Sequence, residues 1–287
     1  MIPHQYIRTT KEFAGYRSRL REKQVDMVAV DIEGEFNLHI YGEHFCLLQI
    51  FDGTGAVLVD PYEVDIAEIG AFFEDRELLK ITYDATGDRS LLFRRHGIRM
   101  RAILDLRPAV ELLPFEKKGL SVILEEVLHF PPTSGKKRFQ QYNWTRRPID
   151  PGAIEYALED VLHLFELKEV LFAQLNRAGL MDAYIRENLK VQDTDPETDR
   201  EPGILRSGQF RRLRPDQQDL FRRLFAVRDR YARQENLPPN DLFANRDLFS
   251  LVRSEHTLTT ARPGKRVRRE SFTAMVQELK EELDSRP

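Results

Sequence analysis

The chain has 287 residues, of which 41% are hydrophobic and 32% charged, with a formal net charge of −3 at pH 7. That length predicts a large core and two domains, while no apolar run approaches the roughly 18 residues of a membrane-spanning helix. The N-terminal MIPHQYIRTTKEF lacks the basic-then-apolar layout of an export signal, and a lone cysteine, Cys46, excludes a disulfide framework and a zinc knuckle, so a cytoplasmic protein is expected.

In chain order, TTKEFAGYRSRLREK opens on a threonine cap and reads as a helix. Strands are predicted at Met27 to Ile32, Phe45 to Phe51 and Ala56 to Val59, the last two separated by the turn DGTG. A helix follows at Asp65 to Glu74, then a strand at Leu79 to Tyr83 and a helix at Asp88 to His96 that Gly97 ends. Ala102 to Leu104 gives a fifth strand, and helices are expected at Leu106 to Leu113, Leu120 to Leu128 and Pro151 to Leu175. Hairpin-linked strands followed by strand–helix alternation predict an α/β fold, a mixed five-stranded sheet with helices on both faces, over residues 1–191.

The stretch QDTDPETDREPG is polar, acidic and turn-rich, and residues 192–212 read as a linker. Residues 213–287 then form a small all-α domain: a long helix, a break at ENLPPN, short helices, the basic ARPGKRVRRE and a last helix through SFTAMVQELKEEL. Charge divides along the same line, about −9 for residues 1–203 and about +6 for residues 204–287. The basic half suits a polyanionic partner, with a solvated helix face as the plainer explanation.

Five residues carry the chemistry. Asp31 and Glu33 end the apolar run of VAVDIEGE, and a spacing of i, i+2 in a strand sets both on one face. Tyr156 and Asp160 stand at i, i+4 in AIEYALEDVLHLFEL, again on one face, this time of a helix. Asp88 follows another apolar strand at the start of a helix. Each spacing alone recurs by chance in so acidic a chain. Like charges converging on strand ends, however, call for a cation, and the set predicts a divalent-metal site suited to phosphodiester chemistry.

These residues and their settings resemble ribonuclease D, of the DEDD 3′-to-5′ exonuclease superfamily, in the subclass with tyrosine in its third motif. The first motif is matched by DIEGE with the following strand FCLLQIF, the second by LLKITYDATGDRSLLF, and the third by YALED. LDLRPAVELL and QQYNWTRRPI resemble the connecting segments, so the likeness spans roughly residues 1–180. It implies a ribonuclease-H-like sheet and two divalent ions, Mg²⁺ or Mn²⁺, with Asp31 bridging them. Glu33 and Asp160 would complete the first ion's site and Asp88 would serve the second. Tyr156 would orient the attacking water, releasing 5′-nucleoside monophosphates from the 3′ end of an RNA such as a tRNA precursor. Two positions depart from the family: Tyr83 where histidine is frequent, and Asn143 where aspartate is. Residues 213–287 resemble a single HRDC domain, a helical module that implies nucleic-acid binding.

Other residues are weighed against plainer roles. Lys136, Lys137 and Arg138 suit phosphates or a solvated loop, and Trp144 suits base stacking or the core. Asp84 and Glu35 are expected to face away from the ligand set, and His163 to be an ordinary helix residue. Three readings stay open: a monomeric exoribonuclease, an exonuclease of single-stranded DNA, and a nuclease-dead nucleic-acid-binding protein.

Overall fold

The computed structural model describes residues 2–130, 138–196, 201–253, 258 and 262–285. The chain divides into two compact units, residues 1–34 with 44–198, and residues 35–43 with 199–287.

The first unit is built on a mixed sheet of six strands in the order β1-β4-β3-β2-β5-β6. These are β1 (His4–Ile7), β2 (Met27–Phe36), β3 (Glu43–Phe51), β4 (Ala56–Val59), β5 (Leu79–Thr82) and β6 (Ile103–Asp105). Five were expected, and the sixth, β1, corrects that number. HQYI has no period of its own, and it becomes a strand by pairing parallel with β4, His4 opposite Ala56 and Ile7 opposite Val59. β3 and β4 pair antiparallel, whereas β2–β5 and β5–β6 pair parallel, as expected of a ribonuclease-H-like sheet.

Helices α1 (Thr10–Glu22), α2 (Ile66–Phe73), α3 (Thr86–His96), α4 (Arg107–Leu112) and α5 (Leu120–Leu128) lie close to their expected bounds. Thr9 and Glu12 form a reciprocal capping box at the start of α1, satisfying two otherwise orphaned amides. Gly97, at φ 70°, ends α3 in the left-handed conformation that glycine adopts without steric cost.

The long helix predicted over Pro151 to Leu175 is instead two, α6 (Pro151–Leu162) and α7 (Leu164–Ala178), broken at His163. The packing partner changes close to this point. Ala153, Ala157 and Leu158 bury against Cys46, Leu47 and Leu58, while Val161, Leu164, Leu167 and Leu171 bury against Ala29 and Ile81. One apolar stripe serves two cores, the change from one to the other falling between Leu158 and Val161, a turn before the break. A further helix, α8 (Met181–Asp193), completes the first unit.

Strand alternation decides the rest. Val28, Val30 and Ile32 enter the core beneath α1 and α2, so Ala29, Asp31 and Glu33 take the opposite face, toward the cluster that holds Val161 of α6.

The second unit contains α9 (Gly208–Arg211), α10 (Pro215–Glu235), α11 (Pro239–Leu242), α12 (Asn245–Val252) and α13 (Arg269–Asp284). Its core gathers Phe210, Phe221, Leu224, Leu248, Phe249, Met275 and Leu279. Phe210 lies inside the segment predicted as a linker, yet its ring is buried, so the region joining the units is shorter than 192–212. Arg228 is buried too, donating to the Phe243 carbonyl at 2.8 Å and to Asn245 at 2.7 Å. Residues 35–43 belong to this unit through Tyr41, whose hydroxyl donates to Asp229 at 2.8 Å. Among the described residues, no helix is long and apolar enough to cross a membrane.

Candidate metal centre

The carboxylates of Asp31, Glu33 and Asp160 offer one oxygen each, all within 4.8 Å of one another, and all three side chains keep partial solvent exposure. β2 supplies two of them and α6 the third. Tyr156 stands one helical turn before Asp160. Asp88, the third residue of α3, lies outside that group of three but close enough to act on it.

Electrostatics mark this as a cluster of mutually repelling carboxylates. Burial, and then the charges of Asp88, Asp160 and Glu33, push the Asp31 carboxyl well above the ordinary carboxylate range. Burial followed by Asp160 and Asp88 does the same to Glu33. Burial together with Asp84 and Asp105 pushes Asp88 up to about 8. The Ile32 amide offsets only part of this for Asp31 and Asp88. Burial, and then the anions of Asp160, Glu33 and Asp31, raise the Tyr156 phenol further above its already high value. A divalent cation would offset the mutual repulsion among these carboxylates, and three to four hard oxygens suit Mg²⁺ or Mn²⁺ rather than a soft metal.

An ion pair that the sequence did not single out anchors the segment leading into α6. Arg147 donates through Nε and Nη2 to Asp60, at 2.5 and 2.9 Å, and through Nη2 to the Cys46 carbonyl at 2.6 Å. Its Nη1 donates to the carbonyls of Trp144 and Arg146. Asp60 is fully buried and also accepts from the Tyr6 hydroxyl at 2.8 Å. Burial alone would raise its carboxyl, but the Arg147 guanidinium and the Tyr6 hydroxyl outweigh it and hold the group below the usual range. The only advance signal was the arginine–proline in QQYNWTRRPI.

The other candidates fall as follows. Trp144 is 3% exposed, packed among Tyr142 and Tyr156, so it belongs to the core and supports the Tyr156 ring at 6.3 Å rather than offering a free stacking face. Tyr83 donates to the Lys118 carbonyl at 2.5 Å, and Asn143 accepts from the Thr145 amide and hydroxyl; both serve local structure. Glu35 is buried and holds the turn after β2, accepting from the Leu38 and His39 amides. Asp84 is more exposed, and its charge disfavours the ionised form of Asp88. His163 sits at the helix break with its ring 4.0 Å from that of Phe130. Arg138 lies over the Phe139 ring, while Lys136 and Lys137 fall outside the described residues.

Against known proteins, residues 4–176 match the family model described as 3′-5′ exonuclease. A ribonuclease D of Gluconacetobacter diazotrophicus is 28% identical over 255 residues, covering 86% of this chain and 62% of that protein. A ribonuclease D of Pseudomonas paraeruginosa is 31% identical over 215 residues, covering 72% of this chain and 55% of that protein. The chain therefore spans less than two thirds of the length of these curated relatives. Among solved structures, the catalytic core of RRP6 from Trypanosoma brucei superposes with a TM-score of 0.80 at 19% identity, over 99% of this chain and 81% of that one. Escherichia coli RNase D, described as an exoribonuclease involved in structured RNA processing, superposes with a TM-score of 0.70 at 21% identity, over 97% and 76%. At such identities these likenesses speak for the fold.

Proposed function

Since the chain belongs to the 3′-5′ exonuclease family, we propose that it is a metal-dependent exoribonuclease that trims the 3′ ends of stable RNA precursors, tRNA among them, as a cytoplasmic monomer. The observation that carries this reading is the convergence of three carboxylate oxygens within 4.8 Å, two from strand β2 and one from helix α6. Asp31, Glu33 and Asp160 would hold one divalent ion, and Asp88 would serve a second together with Asp31. Bound ions supply charge neutralisation for the attacking and leaving oxygens of an in-line displacement.

The chain's own residues have separate tasks. Tyr156 orients the water that attacks the terminal phosphodiester. With its phenol raised by burial and then by the neighbouring anions it donates a hydrogen bond and does not act as a free phenolate. Trp144 and the Arg147–Asp60 pair fix the ring and the segment behind it. The four carboxylates determine where the phosphate can sit, because an anion approaches such a cluster only once cations occupy it. The helical second unit, HRDC-like in sequence, supplies nucleic-acid affinity through its basic residues.

The test is hydrolysis of a 3′-extended tRNA and a matched DNA oligonucleotide, each with Mg²⁺, Mn²⁺ or EDTA, with products separated by chromatography. Release of 5′-nucleoside monophosphates from RNA in either metal and none in EDTA is expected. Preferential degradation of DNA would transfer the proposal to a deoxyribonuclease. Binding without hydrolysis would reduce the protein to a nucleic-acid-binding module.

A further inference from the structure

β6 is an edge strand, and its outer backbone groups are satisfied by side chains of α8 rather than by another strand. Asn188 Oδ1 accepts from the Asp105 amide at 2.9 Å, and Asn188 Nδ2 donates to the Ile103 carbonyl at 3.0 Å. One turn later, Gln192 Oε1 accepts from the Ile103 amide at 3.3 Å. The Tyr184 hydroxyl donates to the Asp105 carbonyl at 3.1 Å. Four side-chain bonds at i, i+4 and i+8 thus imitate a neighbouring strand and leave the edge no free register.

Asp105 passes that constraint on. Its side chain is buried and accepts from backbone amides. Oδ1 takes the Asp84 amide at 2.8 Å and the Arg107 amide at 2.9 Å, and Oδ2 takes the Ala85 amide at 2.9 Å. Those amides belong to the β5–α3 turn and to the first residue of α4. Neither helix has a capping side chain on its own N-cap residue, Ala85 or Leu106, so this one carboxylate serves both. The turn needs the support: Asp84 stands at φ 64°, a left-handed conformation that costs a non-glycine residue free energy. Asp88 lies in the first turn of α3, immediately beyond. A second tie runs from the same helix to the end of α8, where Arg89 Nη2 donates to the Thr194 carbonyl at 2.7 Å.

We propose that Asn188 and Asp105 are positioning residues for the reaction, a chain of contacts running from α8 through β6 to the turn that aims Asp88 at the metal site. On this proposal, which rests on the metal-site reading above, α8 is part of the catalytic apparatus although it lies beyond the matched family region of residues 4–176. Neither residue touches substrate. They act by fixing where the Asp88 carboxylate stands, and groups that orient metal ligands typically change metal affinity by about 10- to 100-fold when removed.

The test uses the full chain and compares Asn188→Leu, Asp105→Asn, Asp88→Asn and the double variant Asp105→Asn/Asp88→Asn. Mn²⁺ binding is followed by calorimetry, the Mg²⁺ concentration for half-maximal hydrolysis of a short oligonucleotide by assay, and folding by thermal melting. Asn188→Leu and Asp105→Asn are each expected to weaken the lower-affinity Mn²⁺ step by roughly 10-fold. The double variant should bind as Asp88→Asn does, because the effect of Asp105 runs through Asp88. Should Asp105→Asn not fold, Asn188→Leu, which leaves every carboxylate in place, carries the test alone. A lowered melting temperature with unchanged Mn²⁺ binding, beside an affected Asp88→Asn, would overturn this proposal and leave only an edge-strand clamp. Unchanged Mn²⁺ binding in Asp88→Asn itself would overturn the metal-site reading, and the proposal with it.

Discussion

Replacing Asp31 by asparagine separates folding from chemistry, because the same charge that the reaction needs opposes the metal-free fold. In the absence of metal, Asp31 faces Glu33 and Asp160 with oxygens within 4.8 Å, and a unit charge pair at that distance costs about 3 to 4 kcal/mol at an effective dielectric of ~20. The protein does not bear this in full, since a carboxyl can take up a proton instead. At pH 7, protonating a group whose ordinary value is 3.8 costs about 4 kcal/mol, which caps the penalty however high the carboxyl is pushed. Asp31→Asn removes the charge and keeps the shape, so in EDTA it should stabilise the fold by about 1 to 4 kcal/mol. For a chain of this size that is a rise in melting temperature of about 2 to 4 °C per kcal/mol. Adding Mg²⁺ should raise the wild type and leave the variant nearly still, narrowing or reversing the gap, because ligand binding stabilises only the form that binds. Hydrolysis by the variant should fall to near background. Melting scans in EDTA and in MgCl₂, with an oligonucleotide assay, measure all of this. A variant that melts lower than wild type in EDTA, or that keeps more than about a tenth of the wild-type rate, would refute the reasoning.

Tyr156→Phe keeps the ring beside Trp144 and all four carboxylates, so RNA and Mn²⁺ binding should persist while single-turnover hydrolysis drops roughly 10²-fold or more; a normal rate would make Tyr156 a packing residue. Cutting the chain after Gly203 should leave an exonuclease unit that still degrades short oligonucleotides, although residues 35–43 then lose the Tyr41–Asp229 bond. Its affinity for structured RNA should fall and its log–log salt slope flatten by about 0.7 to 0.9 per lost phosphate contact, and an unflattened slope would deny the second unit a binding role. Lys80 is buried and its amine is pushed down to about 8, chiefly by burial. A base with its folded value depressed gains stability as pH rises from that value toward its unfolded 10.5, so Lys80→Met should melt higher than wild type at pH 7 and lose that advantage by pH 10. Parallel melting curves across that range would count against the buried charge.

Elements whose signal lies within their own residues were legible in the sequence. β3, β4 and β5 are short apolar runs, and α5 lies at its expected bounds because its apolar stripe and flanking turns coincide. β1 was not legible, since HQYI is a strand only because β4 lies beside it and because Ile7 is buried beneath α1 and α2. The same holds for the end of the segment after α8. An acidic, proline-bearing stretch is a fair description of residues 192–203, but the chain beyond it turns back to bury Phe210, a contact that composition cannot signal. His163 shows the converse: the apolar period continues unbroken through it, so the break near the point where the stripe passes from one core to the other carries no signal of its own in the sequence.

At the candidate site the division is sharper. Period 2 in β2 and period 3.6 in α6 determine that Asp31 with Glu33, and Tyr156 with Asp160, share faces, so three of the four carboxylates could be paired from spacing before any fold was known. Asp88 was placed by its position after an apolar strand, and it lies outside the group of three oxygens, in the first turn of α3. What spacing could not reach is the set of residues that keep these groups in position. Arg147 meets the Cys46 carbonyl 101 residues away, and Asn188 meets the Asp105 amide 83 residues away. Most of their partners are peptide groups, which every residue carries, and the Asp60 carboxylate that Arg147 also meets lies 87 residues away, so no local pairing of side-chain types betrays them. A polar residue on a helix reads as solvated until the strand it satisfies is in view. The carboxylates of such a site are therefore the part a sequence displays. The geometry that makes them act as a group resides in long-range bonds to backbone, and it is there that the Asn188 and Asp105 variants probe it.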